Sequence, residues 1–167
     1  MNNNRTSQTG KPAGAPRPGP THCAHRILVV EDDGDLRVLY GFVLTRPGYL
    51  VDVAEDGAAG WEALQANNYH LLITEHSLPR LTGVELVRKL RAARMAVPVV
   101  MAAIRLPTYE LARNPSLQLA ATLVKPFAVD ALVDTVQNVL RATVRAPGQV
   151  DSLPDWQSQP TAVGLRL

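Results

Sequence analysis

The stretch HLLITEHSLPRLTGVELVRKLR, residues 70–91, joins the two kinds of segment from which the middle of the chain is built. HLLITE (70–75) is a short apolar run that reads as a strand, and it ends in a carboxylate, Glu75. Pro79 and Gly83 follow at turn spacing, and GVELVRKLRAAR (83–94) reads as a helix. An acid at the mouth of a buried strand is expensive to bury alone, so its neighbours decide what it does.

The same alternation extends in both directions. RILVVE (26–31) is a β-branched apolar run, as expected for a strand buried on both faces. DLRVLYGFVLTRPG carries Leu36, Leu39, Tyr40, Val43 and Leu44 at helical spacing, and Pro47-Gly48 stops it. YLVDVAE (49–55) reads as strand and GAAGWEALQANN (57–68) as helix, with Trp61 and Leu64 turned inward. After the opening stretch come a strand, VPVVMAA (97–103), a short helix, PTYELARN (107–114), a strand, ATLVK (121–125), and a helix, VDALVDTVQNVLRA (129–142). Five βα units in succession predict an α/β fold: a doubly wound, five-stranded parallel sheet with helices on both faces. Sites in such sheets form at the carboxyl ends of strands, where the strand order reverses.

Composition bounds the rest. A chain of 167 residues that is 46% apolar has room for one ordinary domain with tails. Residues 1–24, rich in Asn, Gly, Pro, Ser and Thr, and residues 143–167, interrupted by prolines, have little to bury and are expected to be a disordered N-terminal and a flexible C-terminal tail around a domain at 25–142. The one cysteine, Cys23, excludes an internal disulfide. No run approaches the roughly 18–20 apolar residues that span a bilayer, and the N-terminus lacks the apolar centre of a signal peptide. A cytoplasmic location, with no membrane partner, is the expectation. A net charge of +2 does not argue for nucleic acid, and no basic stripe or helix-turn-helix is evident.

The strand ends gather the chemistry. The first ends in Glu31-Asp32-Asp33, the third in Glu75, the fifth in Lys125-Pro126. Carboxylates facing a lysine suit a hard divalent cation such as Mg²⁺, which needs only one or two of them; Asp32 and Glu75 are the candidate ligands.

ILVVEDDGDLRVLY, VAEDGAAGWEAL, HLLITEHSLPRLTGVELVRKLR, VPVVMAA and ATLVKPF together resemble the receiver domain of bacterial two-component response regulators, over about residues 26–142. The resemblance implies a flavodoxin-like (βα)₅ domain that takes a phosphoryl group from a histidine kinase onto an aspartate with Mg²⁺ present, after which a hydroxyl residue and an aromatic residue move. Glu31 and Asp32 match the family's acidic pair, with Asp33 a further acid. Lys125 matches its lysine, and Pro126, which in the family follows a cis bond, comes next. Pro79 and Gly83 match the loop.

Other positions depart. Glu75 stands where the family has its phosphoacceptor aspartate, Ala103 where it has Thr or Ser, and Thr122 at the switch aromatic. Thr82 occupies a common Asp position. Glutamate reaches about 1.5 Å further than aspartate, and misplacement of about 1 Å can cost about 10²-fold in rate. Acyl transfer onto Glu75 is therefore expected to be poor. Alanine donates no hydrogen bond, and Thr122 supplies no ring, so both parts of the two-state coupling are missing. A fixed carboxylate mimics a phosphoryl group only in part, with about one charge against nearly two.

The expected function is that of a pseudo-receiver in a phosphorelay, not an enzyme, that binds a histidine kinase or another signalling protein without being phosphorylated. The rival of a different class is a working phosphoacceptor using Glu75 or a neighbouring acid such as Asp32; a third is an oligomerising scaffold. The partner face is expected at strand five and its flanking helices, remodelled by Pro107 and Pro115, with Leu106, Tyr109 and Leu117 as contact points. HCAH (22–25) lacks a second ligand pair for zinc. His76 has no Gly-x-Ser-x-Gly nucleophile beside it and reads as a loop residue at the pocket rim. No glycine-rich phosphate loop occurs. Arg88, Arg91 and Arg94 read as a solvated helix face.

Overall fold

A computed structural model of the chain describes residues 24–144. The two tails, with Cys23 and Trp156, lie outside the described residues. Five strands form one parallel sheet: β1 (Arg26–Val30), β2 (Leu50–Ala54), β3 (Leu71–Thr74), β4 (Val99–Ala103) and β5 (Ala121–Val124), in the order β2-β1-β3-β4-β5. The helices are α1 (Gly34–Thr45), α2 (Gly57–Ala66), α3 (Gly83–Ala92), α4 (Thr108–Arg113) and α5 (Val129–Val144), with a 3₁₀ turn at Pro115–Leu117.

The apolar runs explain the centre of this sheet. Leu71, Leu72 and Ile73 of β3 are at most 1% exposed. Burying a side chain of that size stabilises by about 1.5–3 kcal/mol. Because successive strand residues face opposite sides, Leu28, Leu72 and Met101 join one core with α2 and α3, while Ile27, Ile73 and Val100 join the other with α1 and α5. The edge strands differ. β5 alternates half-buried and exposed positions instead of being buried throughout, because one neighbour is missing and α4 is a short helix with no buried residue.

The helices begin where local chemistry lets them. Asp33 caps α1, accepting from the amides of Asp35 (2.9 Å) and Leu36 (3.0 Å). Thr82 and Glu85 form a reciprocal capping box at α3. In α1 the inward face is Tyr40, Val43 and Leu44, whereas Leu39, expected inside, is 39% exposed. Of the predicted surface contacts, Tyr109 is exposed, Leu106 is partly buried, and Leu117 belongs to the core.

Of the three arginines read as a solvated face, Arg88 and Arg94 are exposed, whereas Arg91 is not. Arg91 donates from Nε to the Leu117 carbonyl (3.0 Å), and from its two terminal nitrogens to the carbonyls of Met95, Val97 and Gln118. Burial lowers its pKa. These bonds tie the end of α3 to the approach to β4 and to the 3₁₀ turn. Arg88 pairs with Glu110 of α4 at 3.3 Å, and Arg94 adopts φ 56° just after α3.

Candidate functional site

The strand order reverses between β1 and β3, so their carboxyl ends lie side by side; the Glu75 amide donates to the Val30 carbonyl at 3.0 Å. Lys125 follows β5, two strands from β3. Its amide donates to the Ala103 carbonyl at 2.9 Å, and its side chain extends over the end of β4. Ala103, fully buried at that end, presents only a methyl group.

The Lys125 ammonium lies between two glutamates. Its Nζ is 2.7 Å from Oε2 of Glu31 and 2.6 Å from Oε2 of Glu75. All three groups are nearly out of water, with side-chain exposures of 10% for Lys125, 3% for Glu31 and 7% for Glu75. Oε1 of Glu75 turns back onto its own loop, accepting from the amides of His76 (2.8 Å) and Ser77 (3.3 Å). Oε1 of Glu31 faces the Asp33 amide at 3.4 Å. Burial raises the Glu31 pKa against the opposing pull of Lys125. For Lys125 burial acts downward, but the bonds and charges of Glu31 and Glu75 outweigh it and leave the ammonium favoured.

The other predicted site residues are placed differently. Asp32 and Asp33 are exposed, and Asp33 is engaged as the α1 cap. Thr122 is exposed on β5, in register with Met101. Among the described residues, no three His, Cys, Asp or Glu side chains gather to hold a metal ion. The pair expected for Mg²⁺ thus has one exposed member, Asp32, and one, Glu75, turned onto an ammonium. Lys125-Pro126 is a cis peptide.

Other parts of the site were not foreseen. Phe127 stacks on Tyr40, with ring centroids 5.9 Å apart, and both line an apolar cavity of about 380 Å³ with Leu36, Leu39, Ile104 and the stem of Lys125. Asp56, 3% exposed, caps α2 through the Ala59 amide and pairs with Arg80 of the β3–α3 loop. Arg80 holds φ 64°. An Asp-Gly pair before a helix signals the cap, but nothing local signals its long-range partner. His76 stands at the rim, its Nδ1 buried without a partner in the structure.

The profile of the response regulator receiver domain matches residues 27–137. Among curated proteins, the chain is similar to the response regulator ArlR of Staphylococcus haemolyticus (31% identity over 115 residues, 69% of this chain and 52% of ArlR). It is also similar to the transcriptional regulatory protein CusR of Escherichia coli K12 (35% over 118 residues, 70% of this chain and 51% of CusR). The chain thus spans about half the length of the curated relatives it matches. Among solved structures, that of the response regulator TrrA from Thermotoga maritima, in complex with Mg²⁺ and BeF, superposes with a TM-score of 0.62 at 25% identity, over 69% of this chain and 98% of that one.

Proposed function

Because this chain belongs to the response regulator receiver domain family, we propose that it serves two-component signalling as a receiver that works by binding a protein partner, without being phosphorylated. The observation that carries this reading is the engagement of Glu75. Its carboxylate is held by the Lys125 ammonium and by two loop amides. A nucleophile so bonded must break charge-assisted bonds before it can attack, and each such bond in a buried setting is worth more than a neutral one. The methyl of Ala103 offers no hydrogen bond to an incoming phosphoryl oxygen. The loop is thereby held in one arrangement by groups belonging to the chain.

Binding is what such a domain retains. The cavity edged by Leu39, Phe127 and Ile104 opens beside the site; Ile104 is 71% exposed, and Tyr109, on α4, is 70% exposed. Exposed apolar side chains grouped around one cavity, here Leu39, Ile104 and Val129, suit a protein contact. The partner is a histidine kinase or another signalling protein, and a cytoplasmic setting accords with the family.

Incubation with acetyl phosphate and Mg²⁺, followed by intact mass, tests the reading. The expected result is no gain of a phosphoryl group. A gain that vanishes in Glu75→Gln or Asp32→Asn overturns it in favour of a working phosphoacceptor; Asp32 is exposed and therefore accessible to a donor.

A further inference from the structure

Much of the exposed apolar surface lies along one lateral edge of the sheet, away from the strand ends. Val38 (73% exposed) and Phe42 (58%) stand on α1, and Leu50 (57%) and Val53 (51%) on the edge strand β2. We propose that this edge takes a second copy of the chain. β2 pairs antiparallel with β2 of the other copy across a two-fold axis at Asp52, which joins the two sheets, and the two α1 helices lie antiparallel beside the junction. The interface shares no residue with the cavity and the ion cluster on which the proposed function rests, so either can fail without the other.

The backbone of β2 is set for such a partner. The Leu50 amide donates to the His25 carbonyl (3.0 Å), and the Ala54 carbonyl accepts from the Glu31 amide (3.1 Å). Bonding direction alternates along a strand, so Leu50, Asp52 and Ala54 bond inward to β1, while the N–H and C=O of Val51 and Val53 point outward. A two-fold axis at Asp52 sets Val51 opposite Val53 of the other copy, and each such pair can exchange both its bonds. Edge strands that stay single are usually blunted by lysine, proline, a bulge or an inward charge. The β2 sequence LVDVA has neither lysine nor proline, and it holds register with β1 over its whole length. Its one charge, Asp52, is bonded by Nε of Arg26 and by the Tyr69 hydroxyl, both at 2.7 Å. These bonds offset the repulsion between two Asp52 side chains meeting at the axis.

Charge selects the occupant. Gly41, midway along α1, flanks β2: a Cβ added to it would lie 3.8 Å from Cγ1 of Val53, so an axis at Asp52 passes near the middle of the helix. α1 carries an acid, Asp35, in its first turn and a base, Arg46, at its C-cap. Both are exposed, and neither pairs with an opposite charge among the described residues. The Arg46 guanidinium lies over the Phe42 ring, 4.8 Å from its centre. Two α1 helices laid antiparallel about that midpoint bring Asp35 of each copy beside Arg46 of the other and cover Val38 and Phe42 between them. A different partner would need the same acid-to-base order in reverse; a second copy has it by symmetry.

Sedimentation equilibrium of the full chain tests the inference, with a dimer as the expected result. Val53→Lys, which puts the missing charge on the edge, should weaken the dimer about tenfold or more. Asp35→Arg and Arg46→Asp should each weaken it about tenfold, and the two together should return it to within about threefold of the wild type. Residues 35 and 46 are about three helical turns apart in one chain, so that recovery can arise only between chains. A wild type that sediments as a monomer at about 1 mM overturns the inference. So does a dimer that Val53→Lys leaves unchanged, or charge swaps whose losses add instead of cancelling. The three positions are exposed, far-ultraviolet circular dichroism checks that the variants are folded, and the wild-type measurement stands without them.

Discussion

Gly83, the first residue of α3, lies directly against the backbone of Glu75: a Cβ built on it would fall well inside contact distance of the Glu75 carbonyl oxygen. The Gly83 amide also donates to the His76 carbonyl at 2.9 Å. The glycine is there to let the helix start beneath the loop that holds the glutamate. Gly83→Ala should force that loop outward and destabilise by about 1–3 kcal/mol, the usual range for overpacking. Urea denaturation measures it. Gly34→Ala, where an added Cβ meets no atom closer than 3.9 Å, is the control and should cost nothing.

Removing Lys125 leaves two buried carboxylates facing each other. Lys125→Ala should cost about 3–5 kcal/mol, as for other broken buried pairs. Neutralising one acid at the same time should recover much of this, so Lys125→Ala with Glu75→Gln should be more stable than Lys125→Ala alone. A double-mutant cycle in urea measures the coupling, and strictly additive losses would contradict the shared ammonium.

Among the described residues Arg91 makes no salt bridge; its acceptors there are all carbonyls. Arg91→Ala should destabilise by about 2–3 kcal/mol, since carbonyls that lose a charged donor are left unpaired. Arg91→Lys should recover little, because a single ammonium cannot reproduce the planar fork. Amide exchange should quicken most around Leu117 and Gln118.

Tyr69 donates to Asp52 at 2.7 Å. Burial first, and then that bond and the carboxylate's charge, push its phenol up to about 12 from 10.0. A folded pKa raised above the unfolded value means a contribution to stability that is complete below pH 10 and lost as the pH climbs through about 12. Lys125 titrates upward as well, from 10.5, and adds loss in the alkaline range. The decline between pH 10 and 12 should therefore be shallower in Tyr69→Phe but not absent. Phenolate absorbance followed alongside chemical denaturation checks both the value and the sign.

The sequence made the sheet legible because it is parallel and buried on both faces, so β1, β3 and β4 carry unbroken apolar runs. Every strand and helix lies within a few residues of its expected bounds. Glu31, Glu75 and Lys125 could be foreseen as neighbours because strand-end positions follow from topology alone. What a side chain does at such a place could not. Nothing in Glu31-Asp32-Asp33 says that only the first turns inward while the third caps α1. Arg91 resembles any polar residue on a helix surface until the carbonyls of a distant turn are seen to surround it. The Tyr40–Phe127 stack likewise joins residues far apart in the chain.

The positive charge between Glu31 and Glu75 belongs to a residue of the polypeptide. It arrives with every copy synthesised and departs only when that copy is degraded. Under the proposed function, the strength of the message scales with the number of molecules present, so its volume is set by transcription, translation and turnover.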